Sequence, residues 1–263
     1  MLLSLIRLWD LSFTLINQFI DMNPIIHVQN LTSQYDDEVI LDEVSIEIYP
    51  HEITAILGKS GCGKTTLLKN IIRLYQPTKG SIEILGEDVT WMDEADFNKI
   101  LRKIGVLFQN GALLNSLTVA DNVAIPLEQH TNLPRSLIRR LVREKLHLVE
   151  LDHAIDLFPA QLSGGMRKRA ALARAIALDP VILFGDEPSA GLDPITAAAL
   201  DQLLLKLRRI LNMTLVIVTH ELTSIHRISD RIIFLDQGKV LFQGKLDEAK
   251  QSSLPAIQRF FNP

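Results

Sequence analysis

Short apolar runs alternate with amphipathic stretches along most of the chain. Residues 53–57 (ITAIL) form a β-branched run that ends at Gly58, which is typical of a buried strand. Residues 200–211 instead place leucines at helical spacing, which indicates an amphipathic helix. Strands that alternate with helices predict an α/β fold with a mostly parallel sheet covered on both faces. Further strands are predicted at residues 82–85, 104–108, 181–184, 215–218 and 232–235.

The interval from about residue 110 to residue 160 has a different pattern. The strand rhythm stops there, and residues 137–151 carry apolar positions at helical spacing. We interpret this interval as a helical insertion between the strands.

The first 21 residues are rich in large apolar side chains, but Arg7 and Asp10 interrupt them. The charge-free stretch 11–20 is too short to span a bilayer. Two interpretations stay open for this segment: a translation start further along, at Met22, or an amphipathic helix at a membrane interface.

Composition narrows the classes of function. Of the 263 residues 47% are hydrophobic, which suffices for a sizeable core. The 27 basic and 31 acidic residues give a net charge of −4, which disfavours a nucleic-acid partner. Cys62 is the one cysteine, so no intrachain disulfide can form and a reducing compartment is expected.

A phosphate-binding loop follows the first buried strand. Residues 58–65 (GKSGCGKT) match G-x-x-x-x-G-K-[ST], with a strand before and a helix after. The glycines let backbone N–H groups face phosphate oxygens, Lys64 adds a cation, and the Thr65 hydroxyl can bind Mg²⁺. Cys62 occupies a variable position and is interpreted as a filler. The predicted nucleotide-binding residues are Gly58, Lys59, Ser60, Gly61, Cys62, Gly63, Lys64, Thr65 and Thr66.

A second apolar strand ends in two acids, within residues 181–187 (VILFGDE). In a parallel sheet this strand delivers Asp186 to the edge where the phosphates bind. Asp186 is therefore a candidate Mg²⁺ ligand, and Glu187 is a candidate base for the attacking water.

Residues 162–166 (LSGGM) resemble the signature sequence of the ABC ATPases, with Met166 in place of the usual Gln. Other motifs of that family follow in the right order. Gln109 stands where the Q-loop glutamine does, residues 189–193 (SAGLD) match the D-loop with its Asp193, and His220 stands at the switch histidine. Tyr35 lies where an aromatic usually stacks on adenine, although Asp36 replaces the common Gly.

The resemblance implies a P-loop NTPase (RecA-like) core with an antiparallel N-terminal β part and a helical ABC subdomain at about residues 110–162. The ATPase domain would cover residues 25–246, after an extension at 1–24 and before a short tail at 247–263. It also implies a head-to-tail dimer that sandwiches ATP and Mg²⁺. The implied catalytic residues are Glu187, His220 and Gln109, the metal ligands are Thr65, Gln109 and Asp186, and the signature residues acting in trans are Ser163, Gly164, Gly165 and Met166.

Four basic residues follow the signature: Arg167, Lys168, Arg169 and Arg174. At helical spacing beside a glycine turn, they are predicted to form a solvated face or to complement the triphosphate.

Several segments are similar to one subgroup, the ATPase subunits of Mla/Mce-type systems, which move phospholipid between the inner and outer membranes of Gram-negative bacteria. They are residues 108–114 (FQNGALL), 121–127 (DNVAIPL), 130–134 (HTNLP), 162–175 and 254–261. This resemblance implies inner-membrane permease subunits, a STAS-domain regulator and a periplasmic MCE lipid-binding protein as partners. It places the chain at the cytoplasmic face of the inner membrane, in a system that maintains outer-membrane lipid asymmetry.

Alternatives stay open at this point. An importer ATPase for an amino acid or metal shares every catalytic motif, and a soluble ABC protein of translation or DNA repair is a more distant candidate. A non-catalytic ATP-binding module is disfavoured because Lys64, Asp186, Glu187 and His220 are all present. We also expect Gln109 and residues 110–114 to contact the permease, with Leu117 equally compatible with a local core.

Overall fold

The computed structural model describes residues 23–36 and 38–261, so both interpretations of residues 1–21 fall outside the described residues. Ten strands and nine α-helices are described within these ranges, with two short 3-10 helices at Asp152–Ala154 and Pro159–Gln161. The strands are β1 (Ile26–Tyr35), β2 (Glu38–Ile48), β3 (Ile53–Gly58), β4 (Lys79–Ile84), β5 (Glu87–Asp88), β6 (Ile104–Leu107), β7 (Ile182–Asp186), β8 (Thr214–Val218), β9 (Arg231–Asp236) and β10 (Lys239–Lys245). The helices are α1 (Lys64–Ile71), α2 (Glu94–Leu101), α3 (Val119–His130), α4 (Arg135–Leu148), α5 (Gly164–Ala175), α6 (Pro194–Leu211), α7 (Leu222–Ile228), α8 (Leu246–Lys250) and α9 (Pro255–Phe261).

The larger sheet has six strands in the order β10-β9-β3-β8-β7-β6. The five strands from β9 to β6 run parallel, and β10 pairs antiparallel with β9. Every residue of β3, β7 and β8 is buried, as expected for central strands covered on both faces. The predicted mostly parallel sheet is therefore confirmed.

A second sheet of four antiparallel strands, in the order β2-β1-β4-β5, covers one face of the larger sheet. Alternate residues of β7 enter different cores, as the two-residue period of a strand requires. Ile182 and Phe184 pack with α1 and the antiparallel sheet, whereas Leu183 packs with the helices on the other face.

The helical interval contains α3 and α4, of which the sequence pattern indicates only one, at residues 137–151. Both helices bury apolar residues in the core that they share with α5 and α6. Within α3, Thr118 caps the N terminus and forms a capping box with Asp121. Pro126 lies inside α3 and lacks the N–H that a helix interior normally donates.

The C-terminal residues pack on the larger sheet. Ile257 of α9 is fully buried, and the ring of Phe260 meets the ring of Phe234 edge-on at 5.3 Å between centroids. Within residues 23–36 and 38–261, none of the helices combines the length and the apolarity that crossing a bilayer requires. The parallel strands β3, β6 and β7 all end at one edge of the sheet, where the candidate site lies.

Candidate active site

The loop between β3 and α1 has a backbone that only glycine accommodates at two positions. Gly58 has φ +146°, and a Cβ there would lie 2.2 Å from the carbonyl oxygen of Leu235. Gly63 caps α1 with φ +103°, and its Cβ would meet a methyl of Leu41 at 2.6 Å. The positive φ and the close approach together explain why this loop needs glycine.

Lys64 holds the loop in a closed shape. Its ammonium is buried and donates to the carbonyl oxygens of Gly58, at 3.0 Å, and Lys59, at 2.9 Å. These bonds tie the start of the loop to the first residue of α1. Cys62 is also buried, and burial raises the pKa of its thiol, which agrees with a filler and not with a reactive thiolate.

Two of the three side chains predicted to bind magnesium lie side by side. The Thr65 hydroxyl donates to Asp186 Oδ1 at 3.3 Å. Burial raises the pKa of the Asp186 carboxyl, while the Thr65 hydrogen bond opposes that rise. Hydroxyl and carboxylate oxygens are the donors that Mg²⁺ prefers, so this pair fits the ion and would hold it together with phosphate oxygens and water.

Glu187 and His220 form the second pair. His220 Nδ1 lies 2.7 Å from Glu187 Oε1, and since an ionised carboxylate only accepts, Nδ1 carries the proton. The other carboxylate oxygen, Glu187 Oε2, is buried and has no hydrogen-bond partner in the described part of the chain. An unpaired buried carboxylate oxygen can accept a proton from a water bound next to it.

Gln109 comes two residues after the end of β6, at the same sheet edge. Its side chain is exposed, and its backbone carbonyl accepts a hydrogen bond from Lys168 at 2.5 Å. Gln109 is therefore connected to the site through its backbone carbonyl. The Thr65 and Asp186 side chains, in contrast, contact each other directly.

The predicted solvated face is wrong for three of the four basic residues after the signature, since only Arg167 is exposed, while their charge complementarity to the triphosphate stays a prediction. Lys168 is buried against backbone carbonyls, and Arg174 donates to the carbonyl oxygens of Ala112 and Gly111. Arg169 likewise donates to the carbonyl of Val149. A charge pattern alone does not show that long basic side chains reach inward to satisfy loop carbonyls.

The signature residues lie at the start of α5. The Ser163 side chain accepts from the Met166 N–H and caps the helix. A Cβ at Gly165 would lie 2.7 Å from a methyl of Thr196, so a larger residue cannot fit without movement. Gly164 approaches Leu192, and Met166 is half-buried against the helical core.

Asp193 of the D-loop begins the neighbouring helix α6. Its carboxylate accepts from the backbone N–H groups of Ile195 and Thr196 and from the Thr196 hydroxyl. The Thr196 hydroxyl is the main cause of a lowered pKa at Asp193. The phosphate loop thus contacts Leu41 and Leu235, while the signature contacts the D-loop, so the two motifs belong to different groups of contacts.

Tyr35 ends β1 with its ring largely exposed, 67% of the residue's surface being accessible. The next residue, Asp36, has φ +51°. That conformation explains a preference for glycine there, and aspartate is among the residues that tolerate it.

The residues expected to contact a permease differ in their exposure. Leu113 is half-buried against the helical core, and Leu117 is also half-buried. Leu114 is 49% exposed, and its backbone is fixed by the buried side chain of Asn122, which both donates to and accepts from it. Sequence reasoning missed Asn122, since a polar residue within an apolar helix segment gives no sign that it anchors the loop before it.

The fold and the site define an ATP-hydrolysing cassette. A family model described as ABC transporter matches residues 41–190. The chain belongs to the ABC transporter ATP-binding family, as the order of its motifs predicts.

Three curated relatives carry different transport names. The intermembrane phospholipid transport ATP-binding protein MlaF of Haemophilus influenzae is 41% identical over 90% of this chain and 89% of its own length. The probable ribonucleotide transport protein Mkl of Mycobacterium leprae is 39% identical, over 92% of this chain and 70% of its own. The methionine import protein MetN of Francisella tularensis is 37% identical, over 89% of this chain and 68% of its own length.

Solved structures agree with the fold. A dimeric bacterial ABC transporter cassette, MJ0796, superposes with a TM-score of 0.78 at 35% identity, over 84% of this chain and 98% of the other. A structure of the same cassette bound to ADP and Pi gives 0.77 at 34% identity, with the same coverage. The CbiO1 cassette of Clostridium perfringens superposes with a TM-score of 0.79 at 28% identity, over 90% of this chain and 98% of the other.

Proposed function

We propose that this chain is the ATPase subunit of a transporter that moves phospholipid between the inner and outer membranes. ATP hydrolysis rests chiefly on one observation: the Glu187–His220 pair stands next to Asp186, which contacts the Thr65 hydroxyl of the phosphate loop. The arrangement sets a base, a polar contact for the γ-phosphate and two metal ligands at one sheet edge.

Each residue then has one task. Lys64 and the loop N–H groups bind the β- and γ-phosphates, and Thr65, Asp186 and Gln109 would hold Mg²⁺, which neutralises phosphate charge when bound. Glu187 Oε2 accepts the proton of the attacking water. His220, whose Nδ1–H is held by Glu187, donates from a protonated Nε2 to an oxygen of the γ-phosphate, and Tyr35 stacks on the adenine.

The site is completed by a second copy of the chain. The first turn of α5 contains no acidic residue, so its N terminus offers N–H groups and a positive dipole end to an anion. In one chain this end packs on the D-loop, with Gly164 against Leu192 and Gly165 against Thr196. A head-to-tail dimer brings Ser163, Gly164 and Gly165 to the partner's γ-phosphate, and ATP binds best to the closed form because it touches both halves there.

A groove beside the edge strand β6 supports permease docking. It has a volume of about 300 Å³ and lies between that strand and α3. Exposed Leu114 lies two residues beyond Ala112, whose carbonyl accepts from the groove residue Arg174, and we assign Leu114 to the permease contact. Phe108, Ile125, Pro126, His130 and Leu178 line the groove. Docking there would hold the chain at the cytoplasmic face of the inner membrane, together with the STAS-domain and MCE partners.

The phospholipid substrate rests on likeness to MlaF, which covers nearly the whole of both chains. The likeness to MetN favours a second candidate, an importer of an amino acid. The two differ in what the permease carries, and the ATPase chemistry is common to both.

Transport in reconstituted membranes tests the substrate. The chain is isolated together with the permease that co-purifies with it, and the complex is placed in liposomes with a fluorescent phospholipid. We expect ATP-dependent movement of the phospholipid to acceptor membranes and no uptake of radiolabelled methionine. Methionine uptake without phospholipid movement would replace the proposal with the importer.

Variants separate the subunit's parts in that assay. Lys64→Ala should abolish transport. Leu114→Glu should lose the permease on purification while the isolated subunit keeps its ATPase rate. Leu241→Glu, at a comparably exposed leucine on β10, is the matched control and should change neither.

A further inference from the structure

Lys168 is a buried cation in the second turn of α5. Its Nζ donates to the carbonyl oxygen of Gln109 at 2.5 Å and to that of Glu187 at 3.3 Å. One side chain therefore joins the signature helix to two loops of the same chain, and each loop carries a residue of the ATP site.

The backbone at Glu187 determines where the proposed base points. Glu187 has φ +48°, a left-handed conformation that is costly for a residue with a side chain. Its N–H donates to the carbonyl of Val218 at 2.8 Å, and its carbonyl accepts from Lys168. The strained peptide is thus held from both sides, and a shift of Lys168 moves the Glu187 carboxylate.

A second basic residue of α5 binds the loop that carries Gln109 but does not reach Glu187. Arg174 donates to the carbonyl oxygens of Gly111 and Ala112, at 2.8 and 2.7 Å. Of the two cations, Lys168 is the one that also bonds to Glu187. Arg174 is therefore a matched control for any effect of loosening the loop alone.

We infer that Lys168 is a positioning residue that couples the two ATP sites of the dimer. The inference rests on the composite site proposed above. The first turn of α5 meets the nucleotide held by the partner, and Lys168 lies five residues beyond Ser163, about 7.5 Å along the helix. A helix this short moves as one body, so closure on the partner's ATP also moves Gln109 and Glu187 of this chain's own site.

Lys168→Met tests the coupling. Methionine has a similar length and fills the same space, so the change removes the two hydrogen bonds with little loss of packing. The initial rate of ATP hydrolysis is measured against ATP concentration, in the full complex with the permease. Wild type should approach a Hill coefficient of about 2, the ceiling for two sites, while Lys168→Met should give about 1 with its first ATP bound normally.

Two further variants separate coupling from simple support. Lys168→Arg keeps charged donors at this position and should recover part of the cooperativity. Arg174→Met should lower the thermal midpoint and leave the Hill coefficient unchanged. If Lys168→Met fails to fold, Lys168→Gln keeps a neutral donor and is expected to show an intermediate Hill coefficient.

Three results would overturn the inference. A lower turnover at an unchanged Hill coefficient in Lys168→Met would show a merely structural role, and equal loss in Arg174→Met would show that any anchoring of the loop suffices. In both cases ATP-driven dimerisation of the hydrolysis-deficient Glu187→Gln chain would still support the composite site. A wild-type Hill coefficient of 1 with no ATP-driven dimer would remove the composite site as well.

Discussion

At the scale of single residues, the motif residues were predictable and their supports were not. The phosphate loop, Asp186 and Glu187 are placed by local sequence, because the end of a buried strand fixes the position of the next few residues. Lys168 and Asn122 act through backbone carbonyls outside their own motifs, and no spacing in the sequence reveals such partners. A basic residue is expected to be exposed until its carbonyl partners are seen.

The structure does not require glycine at position 185. Its backbone φ is not in the positive range, and a Cβ there would meet Pro188 and Ile217 at 3.7–3.8 Å, which is ordinary van der Waals contact. Gly185→Ala should therefore stabilise the fold by about 0.4–1 kcal/mol, chiefly by restricting the unfolded chain. Differential scanning calorimetry should show a midpoint rise of about 1–4 °C.

Gly58→Ala is the matched control for that substitution. Its Cβ would lie 2.2 Å from the Leu235 carbonyl oxygen, so the midpoint should fall. A fall for Gly185→Ala as well would mean that β7 cannot take the methyl group.

At the scale of elements, the sequence pattern predicts six of the ten described strands to within one or two residues at most ends, namely β3, β4 and β6 to β9. It does not place β1, β2, β5 and β10. Apolar β-branched runs leave little ambiguity when a strand is buried on both faces. The helical interval was recognised by the loss of that rhythm, but α3 was not placed. Its apolar spacing is interrupted by the buried polar residue Asn122 and by Pro126, and neither residue is expected inside an amphipathic helix.

A buried carboxylate joins α6, which begins at the D-loop, to α7, which follows His220. Asp201 is fully buried, and its oxygens accept from the Ser224 hydroxyl at 2.6 and 2.7 Å and from Arg227. Asp201→Ala leaves both donors without their acceptor. We expect the free energy of unfolding to fall by about 3 kcal/mol, toward the lower end for a broken buried pair because Arg227 is partly exposed.

Urea denaturation followed by circular dichroism measures that loss. Asp96→Asn, which breaks an exposed ion pair with Lys99, is the control and should leave the midpoint nearly unchanged. An equally small effect for Asp201→Ala would show that the buried network does not hold α6 to α7.

At the scale of the whole molecule, the parallel sheet explains why the motifs meet. The phosphate loop follows β3, Asp186 ends β7 and Gln109 follows β6, so motifs far apart in sequence share one sheet edge. The antiparallel sheet and the dimer came only from the family resemblance, because neither hydrophobic pattern nor composition says how a sheet is ordered. Within one chain the signature lies against Leu192 and Thr196, and the proposed dimer supplies the phosphate loop that it would face.

The mass of the Glu187→Gln chain in solution, measured by light scattering with and without Mg²⁺-ATP, tests the central claim most directly. Removing a catalytic base typically slows a reaction by about 10²–10⁴-fold, so ATP stays bound and the closed dimer accumulates. With ATP the mass should be twice the 29.6 kDa of one chain. Adding Gly164→Asp, which sets a negative charge against the γ-phosphate, should keep the mass at that of one chain. A Glu187→Gln chain that binds ATP and stays at the mass of one chain would contradict the shared site.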